Sequence, residues 1–339
     1  MKTTSHTFSR RRFLANTSAL GAASLLTLPQ RAAAEPPPET TRLRLVKVPI
    51  ICLAPEYIAE ELLRLEGFSD IEYAPLDEEN GVPHMLASNR VDIKMLSVFD
   101  TVPVLDVEQS VVILAGIHVG CYELFGNDRI HALRDLKGKT IAVSEVGGGD
   151  HLFIASMLAY VGMDPGKDVK WSTTKSYAES MRLFTEGKAD AFLAFPPQPQ
   201  ELRAKKIGNV IVDTTLDRPW SQYFCCMIAA NRQFVVNYPI ATKRALRAFV
   251  KAADICAREP EWAARFLVER GYEPRFPIAL DVLRKLPYNR WREANPEDTL
   301  RFYALRLHEV GMIRSTPQKI IAQNTDWRFL NELKKELKA

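Results

Sequence analysis

An excess of positive charge is missing from this chain once its first 34 residues are set aside. The sequence carries 45 Lys and Arg against 41 Asp and Glu. Lys2, Arg10, Arg11, Arg12 and Arg31 all precede Glu35, in a segment with no acidic residue, so the remainder holds 40 basic against 41 acidic groups. No excess of positive charge is left to draw in nucleic acid or an anionic membrane. Long apolar runs are missing too. No segment after residue 34 reaches the ~20 apolar residues that span a bilayer. Cysteine is sparse and unpatterned: Cys52, Cys121, Cys225, Cys226 and Cys256 are odd in number, so at least one has no disulfide partner within the chain. None has the C-x-x-C spacing of a zinc site, and Cys225 and Cys226 read as buried strand residues.

Catalytic patterns are equally thin. Five histidines follow the first 34 residues: His84, His118, His131, His151 and His308. His118 and Cys121 are three residues apart on a strand-to-loop segment, which does not hold their side chains together, and no third group orients them. Gly147-Gly148-Gly149 follows a strand and opens a helix, but it matches neither the dinucleotide fingerprint nor the nucleotide loop. This reading assigns no catalytic residue, no metal ligand and no cofactor, and expects a protein that is not an enzyme.

What is present begins with an address. Ser9-Arg10-Arg11-Arg12-Phe13-Leu14-Ala15 resembles the bacterial twin-arginine export motif, departing from it at Ala15, where Lys is common. An uncharged stretch runs from Phe13 to Leu28, and Ala32-Ala33-Ala34 offers a small-residue cleavage site between Ala34 and Glu35. The expectation is export by the twin-arginine translocase into the periplasm.

The body, 47% apolar and 25% charged over the whole sequence, suggests about two domains. Strand and helix signals alternate, as in sheets joined by crossover helices. Strands are expected at 43–51, 71–74, 91–96, 111–117, 140–143, 169–171, 191–195, 210–212 and 222–229. Helices are expected between them, notably 55–65 and 150–161. From Asn231 onward the pattern becomes almost wholly helical.

Four stretches give this layout a likeness. They are Ala54-Pro55-Glu56-Tyr57-Ile58-Ala59-Glu60-Glu61, Asp135-Leu136-Lys137-Gly138-Lys139-Thr140-Ile141-Ala142-Val143-Ser144 and Gly187-Lys188-Ala189-Asp190-Ala191-Phe192. The fourth is C-terminal, Gly311-Met312-Ile313 with Asp326-Trp327-Arg328-Phe329-Leu330. In order and spacing, the chain resembles the periplasmic solute-binding proteins of ABC importers for nitrate, sulfonates, taurine and thiamine-pyrimidine precursors. The resemblance implies an α/β, two-lobe periplasmic binding protein fold of type II character, each lobe a mixed sheet flanked by helices, with a ligand cleft between the lobes. It also implies a small-molecule solute, an ABC permease in the inner membrane as partner, and a monomer. The same fold carries thiamine-pyrimidine synthases with a cysteine-rich motif and iron. Cys225-Cys226 lacks that richer pattern, which leaves such an enzyme as the alternative. Where many relatives have Trp-Glu-Pro, this chain has Phe195-Pro196-Pro197-Gln198, so the relatives' carboxylate is absent and their ligand cannot be copied.

The expected division is residues 1–34 as export signal, 35–42 as Pro-rich linker, 43–135 with 224–339 as lobe one, and 136–223 as lobe two. The hinge is expected near Phe125 to Leu136, Phe195 to Pro199 and Leu216 to Tyr223. In open α/β sheets, ligands sit beyond the carboxyl ends of strands. The candidate contacts are therefore Leu53, Pro55, Tyr57, Ser97, Phe99, Cys121, Tyr122, Ser144, Gly147, Gly148, Gly149, Asp150, His151, Phe195, Gln198 and Tyr223. Asp150 is expected to cap the following helix by accepting the N–H of Leu152 or Phe153. With Glu145 nearby, and no Lys or Arg from Ser144 to Tyr160, it would make that half of the cleft suit a neutral, zwitterionic or cationic group.

The export reading has a direct check. Replacing Arg10, Arg11 and Arg12 by Lys keeps the charge but removes the guanidinium groups, and the unprocessed precursor should then accumulate in the cytoplasm. Unchanged processing in a fractionation experiment would reassign the segment to the general secretory route.

Overall fold

Two lobes with one shared plan carry the molecule, the first with a two-stranded and a three-stranded sheet side by side and the second with a five-stranded sheet. In the first, β1 (Arg42–Val46) pairs in parallel with β2 (Asp70–Ala74). Beside them β3 (Ile93–Ser97) and β4 (Val111–Val119) flank β10 (Phe224–Asn231), which runs antiparallel to both. An Asp92 N–H to Arg44 C=O bond of 2.9 Å, with the Arg44–Asp92 ion pair, joins β1 to the start of β3. The second lobe has β6 (Thr140–Val143) between β7 (Lys170–Thr173) and β8 (Ala191–Ala194), all parallel. Next to β8 lies β5 (Glu123–Gly126), antiparallel to β8 and to β9 (Asn209–Asp213). Each lobe thus contains one antiparallel strand that has crossed from the other: β5 follows β4, and β10 follows β9.

The computed structural model describes residues 35–338. The twin-arginine segment, with Ala34 on one side of the expected cleavage point, lies outside the described residues. From Pro38 onward the chain is one compact unit. Among the described residues no helix is long and apolar enough to cross a membrane.

Two expectations about the lobes change. Because β5 already belongs to the sheet of lobe two, the first crossing falls at Gly120 to Tyr122 instead of after Phe125. The chain at Phe195 passes from β8 into α6 (Gln198–Lys205) and then β9, all within lobe two, so it is not a crossing. Of the three expected segments, only Leu216 to Tyr223 coincides with a crossing, the return between β9 and β10. The first strand is also shorter than expected, ending at Val46. Pro49 lacks the N–H that a ladder needs, and Ile51–Leu53 turns as a 3-10 helix.

In lobe one the helices are α1 (Ala54–Leu65), α2 (Gly81–Ala87) and α3 (Val98–Val107). Lobe two adds α4 (Gly149–Tyr160) and α5 (Tyr177–Thr185) to α6. After β10 come α7 (Arg232–Asn237), α8 (Pro239–Arg258), α9 (Pro260–Glu269), α10 (Phe276–Lys285), α11 (Pro296–Glu309), α12 (Pro317–Asn324) and α13 (Arg328–Glu336). Proline opens α8, α9 and α11, where its missing N–H costs nothing. The C-terminal helices do not brace lobe one alone. Whereas α8 packs on α1, α11 packs on α4 of lobe two.

α1 is fastened to β3 by a buried ion pair. Lys94 Nζ lies 2.5 Å from Glu56 Oε1 and 3.2 Å from the Val46 carbonyl, while Glu56 Oε2 accepts the Met95 N–H at 3.1 Å. The two side chains are 0% and 2% exposed. Burial raises the Glu56 carboxyl above its ordinary range, against the pull of Lys94. Removing one member strands the other charge without water. Lys94→Met should therefore cost about 3–5 kcal/mol in urea unfolding, and adding Glu56→Leu should recover much of that loss. Equal stability of Lys94→Met and the wild type would show that the pair does not hold α1.

Candidate functional site

The carboxyl ends of β1, β3, β6 and β8 face one another across a cavity of about 540 Å³. Its walls come from both lobes. Lobe one contributes Val48, Ile50, Cys52 and Leu53 after β1, the run Lys94 to Asp100 except Val98 from β3 and α3, and Cys225 and Cys226 from β10. Lobe two contributes Gly147, Gly148, Gly149, Tyr177 and Phe195, and the crossing supplies Cys121 and Tyr122.

Of the expected contacts, the cavity brings together Leu53, Ser97, Phe99, Cys121, Tyr122, Gly147, Gly148, Gly149 and Phe195. Aromatic rings form one wall: Tyr177 meets Phe195 edge-on at 4.7 Å between centroids, and Tyr122 lies 6.1 Å from Phe195. Phe99 stacks on Phe153 of α4 at 3.8 Å and meets Tyr303 of α11 edge-on at 4.5 Å, which ties the two lobes and the C-terminal helices at the back of the cleft. Ser97 caps α3 by accepting the Phe99 N–H at 3.2 Å.

The other expected contacts lie outside the lining and shape it from behind. Pro55 is buried at the start of α1. Tyr57 stacks on Tyr272 at 3.8 Å, donates its hydroxyl hydrogen to the Val48 carbonyl, and accepts the Ile50 N–H at 3.1 Å. It thereby holds the rim segment from Val48 to Ile50 in place. Gln198 donates to the Tyr177 carbonyl at 2.8 Å and accepts the Phe195 N–H at 3.4 Å, fixing two of the cavity aromatics. His151 accepts the Gly147 N–H on Nδ1 at 3.1 Å and packs edge-on against Trp171 at 4.4 Å. Burial lowers its pKa, so the ring is held neutral as that acceptor. Tyr223 stacks on Phe302 at 4.1 Å, at a separate surface depression.

Asp150 differs from expectation in a way that matters. The helix begins at Gly149 with Gly148 as its cap, and the Leu152 N–H goes to the Gly148 carbonyl. The Asp150 carboxylate turns back instead to Ser144, accepting its N–H at 2.6 Å and its hydroxyl at 2.9 Å, together with the His151 N–H at 2.9 Å. Asp150 and Ser144 are thus a closed structural pair that does not line the cavity.

The carboxylate that does reach the cavity is Asp100. No ion pair or hydrogen bond holds its side chain; it lies against the first turn of α4, where a Cβ on Gly149 would stand 2.3 Å from its Oδ1. That contact explains a glycine in terms no loop motif supplied. Asp100 keeps an exposed surface at the cavity wall, and its pKa is pushed up to about 6, first by desolvation among its neighbours and then by the Asp150 charge. Among the lining residues the one Lys, Lys94, is already committed to Glu56, and there is no Arg. Glu108 adds a second acid, and His84 a base, towards the outer rim. Sequence reasoning passed over Asp100 because it sits inside an apolar helix start, Val98-Phe99-Asp100, rather than beside a recognisable loop.

Four thiols crowd the floor. Cys52, Cys121, Cys225 and Cys226 are each buried, and Cys225 Sγ lies 3.8 Å from Cys226 Sγ. The Cys52 thiol is held well below its ordinary pKa by hydrogen bonds from Cys121 and then Cys226, whereas burial pushes Cys225 up.

Comparison with known proteins places this architecture. Residues 124–267 match the model of the NMT1-like family. No curated protein sequence matches the chain. In fold, the chain is similar to the periplasmic nitrate-binding protein NrtA from Synechocystis PCC 6803, at 16% identity and a TM-score of 0.73, covering 89% of this chain and 90% of that one. It is also similar to the alkanesulfonate-binding protein SsuA from Xanthomonas axonopodis pv. citri bound to MOPS, at 13% identity and 0.67, covering 87% and 100%. A third likeness is to the desulfurization enzyme DSZB, at 15% and 0.60, covering 87% and 99%. The fold is therefore the two-lobe periplasmic binding protein fold, as the sequence resemblance implied, and it serves both binding proteins and an enzyme.

The Asp150 geometry makes a separable prediction. Asparagine offers one acceptor where the carboxylate serves three donors, so Asp150→Asn should lower thermal stability by about 1–3 kcal/mol. Calorimetry that found no change would mean that the Ser144 turn does not depend on this charge.

Proposed function

We propose that this chain is the solute-binding component of an ABC importer, acting in the periplasm as a monomer after export by the twin-arginine translocase. It would hold a small organic solute between its lobes and deliver it to an inner-membrane permease. The family match and the fold support the class of protein. One observation supports the class of solute: an aromatic-walled cavity lined by the Asp100 carboxylate, which no hydrogen bond or ion pair holds.

The balance of charge disfavours an anion. Nitrate or a sulfonate entering this cavity would meet Asp100 with no uncommitted lining Lys or Arg to offset it, at the cost of its own hydration. A cation gains twice: from the carboxylate, and from the negative faces of Tyr122, Tyr177, Phe99 and Phe195. The preferred solute is accordingly an amine or protonated nitrogen heterocycle with an apolar body. Its contacts to both lobes would favour the closed state, because an open cleft cannot make them together.

A thermal-shift screen of organic cations, nitrogen heterocycles, nitrate and alkanesulfonates tests this directly. Cations should stabilise the protein and anions should not. With a pKa of about 6, Asp100 is mostly protonated below that pH and ionised above it, so cation affinity should rise as pH increases through 6. Asp100→Asn should flatten this dependence and cost ~1.5–3 kcal/mol of binding, the range for a charge-assisted hydrogen bond. Tight sulfonate or nitrate binding, or cation affinity unaltered by Asp100→Asn, would overturn the assignment.

A further inference from the structure

Three elements bring soft donor atoms to one point on the cavity floor. Cys52 sits in the 3-10 turn that leads into α1, His118 near the end of β4, and Cys226 on β10. His118 and Cys226 are partners in the β4–β10 register. The two sulfur atoms and one ring nitrogen of His118 all lie within 4.8 Å of one another. His118 is fully buried, and its Nδ1 lies 3.2 Å from the Val119 carbonyl, which can only accept, so Nδ1 carries the ring hydrogen and donates it. That leaves Nε2 as a buried lone pair, and it has no hydrogen-bond partner. A metal-binding imidazole has the same arrangement, one nitrogen tethered to a carbonyl and the other free to coordinate. Tyr288 backs the cluster, its ring edge-on to His118 at 5.2 Å and its hydroxyl donating to the Cys52 carbonyl at 3.1 Å.

We propose that Cys52, His118 and Cys226 bind one monovalent copper ion. Two thiols and an imidazole, with no carboxylate among them, exclude hard cations such as calcium and magnesium, which take oxygen ligands. A three-donor set suits the low coordination number of Cu(I). Cys121 lies outside the group whose donor atoms are all within 4.8 Å of one another, so the set lacks the fourth protein ligand that closes a structural zinc tetrahedron. On binding, the two thiols lose their protons to solvent and the ion takes their place, so uptake weakens as pH falls. The ion needs no unfolding to arrive, because both cysteines line the cleft. This site is independent of the solute reading, since its donors are distinct from Asp100 and the aromatic wall.

The test titrates the reduced, metal-free protein with Cu(I) under anaerobic conditions, against a coloured Cu(I) chelator. One ion per chain should be withheld from the chelator. Cys52→Ser, Cys226→Ser and His118→Asn should each weaken retention at least tenfold. Cys256→Ser, which alters a buried thiol of α8 outside the cluster, should not. X-ray absorption of the loaded wild type, which needs no variant to fold, should show copper bound by two sulfurs and one nitrogen. The proposal is overturned if the chelator strips wild type and Cys52→Ser alike, if absorption shows no nitrogen ligand, or if Zn(II) is retained in preference to Cu(I). The cation screen is run on the same metal-free protein, so either result stands or falls alone.

Discussion

A chain that leaves one sheet to enter another must keep its backbone donors satisfied while it turns. The rest of this molecule depends on how that happens between β4 and β5. Gly120 and Cys121 both take positive φ, +78° and +96°, a conformation that non-glycine residues adopt only when the surroundings hold them there. Two threonines from the returning crossing do so. Thr215 accepts the Cys121 N–H at 3.3 Å, Thr214 accepts the Tyr122 N–H at 3.1 Å, and the Thr214 hydroxyl donates to the Tyr122 carbonyl at 2.7 Å. A Cβ on Gly120 would lie 2.8 Å from Thr215 Cα, so the two crossings run in direct backbone contact. The turn that joins the lobes is therefore also the turn that puts Cys121 and Tyr122 into the cleft.

From that junction the chemistry of the cleft follows by elimination. Carboxylates near the cavity are paired where structure needs them: Glu56 with Lys94, and Asp150 with Ser144. Glu123, at the start of β5, is drawn off by Arg203 and by Lys285 at 2.7 Å. Asp100 is left over because its neighbour is a glycine, whose missing side chain gives the carboxylate room against the first turn of α4. The partial positive charge of that helix end favours the ionised form, yet removal from bulk water still carries the pKa up to about 6. The result is a charge that is cheap to neutralise with a cation and costly to face with an anion.

The fold was legible because its signals are local. Apolar strands such as Val111–Val119, glycine stops such as Gly67 and Gly187, and the helical C-terminus are set by a few neighbouring residues, and the elements fall close to where they were expected. Strand crossings are not local. β5 is only Glu123–Gly126, and nothing in those four residues announces that it pairs with β8, nearly 70 positions later, rather than with β4. The same limit applies to the site. Residues following strand ends were found, because one topological rule locates them. Asp100 and Tyr177 were not, since their place in the cavity depends on how α3 and α5 approach α4. Asp150 differs for a related reason: a cap two residues earlier, at Gly148, frees its carboxylate to turn back to Ser144.

The cysteines carry this furthest. Consecutive strand residues point to opposite faces, so Cys225 and Cys226 should not share a surface. The ladder explains why they do. Between Phe224 and Cys226 the β10 chain advances two residues while β4 advances one, from Val119 to His118, which makes Cys225 the extra residue of a bulge. A bulge re-aims side chains, and here both residues line the cavity with their sulfurs 3.8 Å apart, Cys226 opposite His118. A spacing rule cannot detect such a cluster, because its members come from residues 52, 118 and 226 and are joined by an irregularity in pairing. The irregularity that ends regular hydrogen bonding at the mouth of β10 thus assembles the densest group of reactive atoms in the cleft.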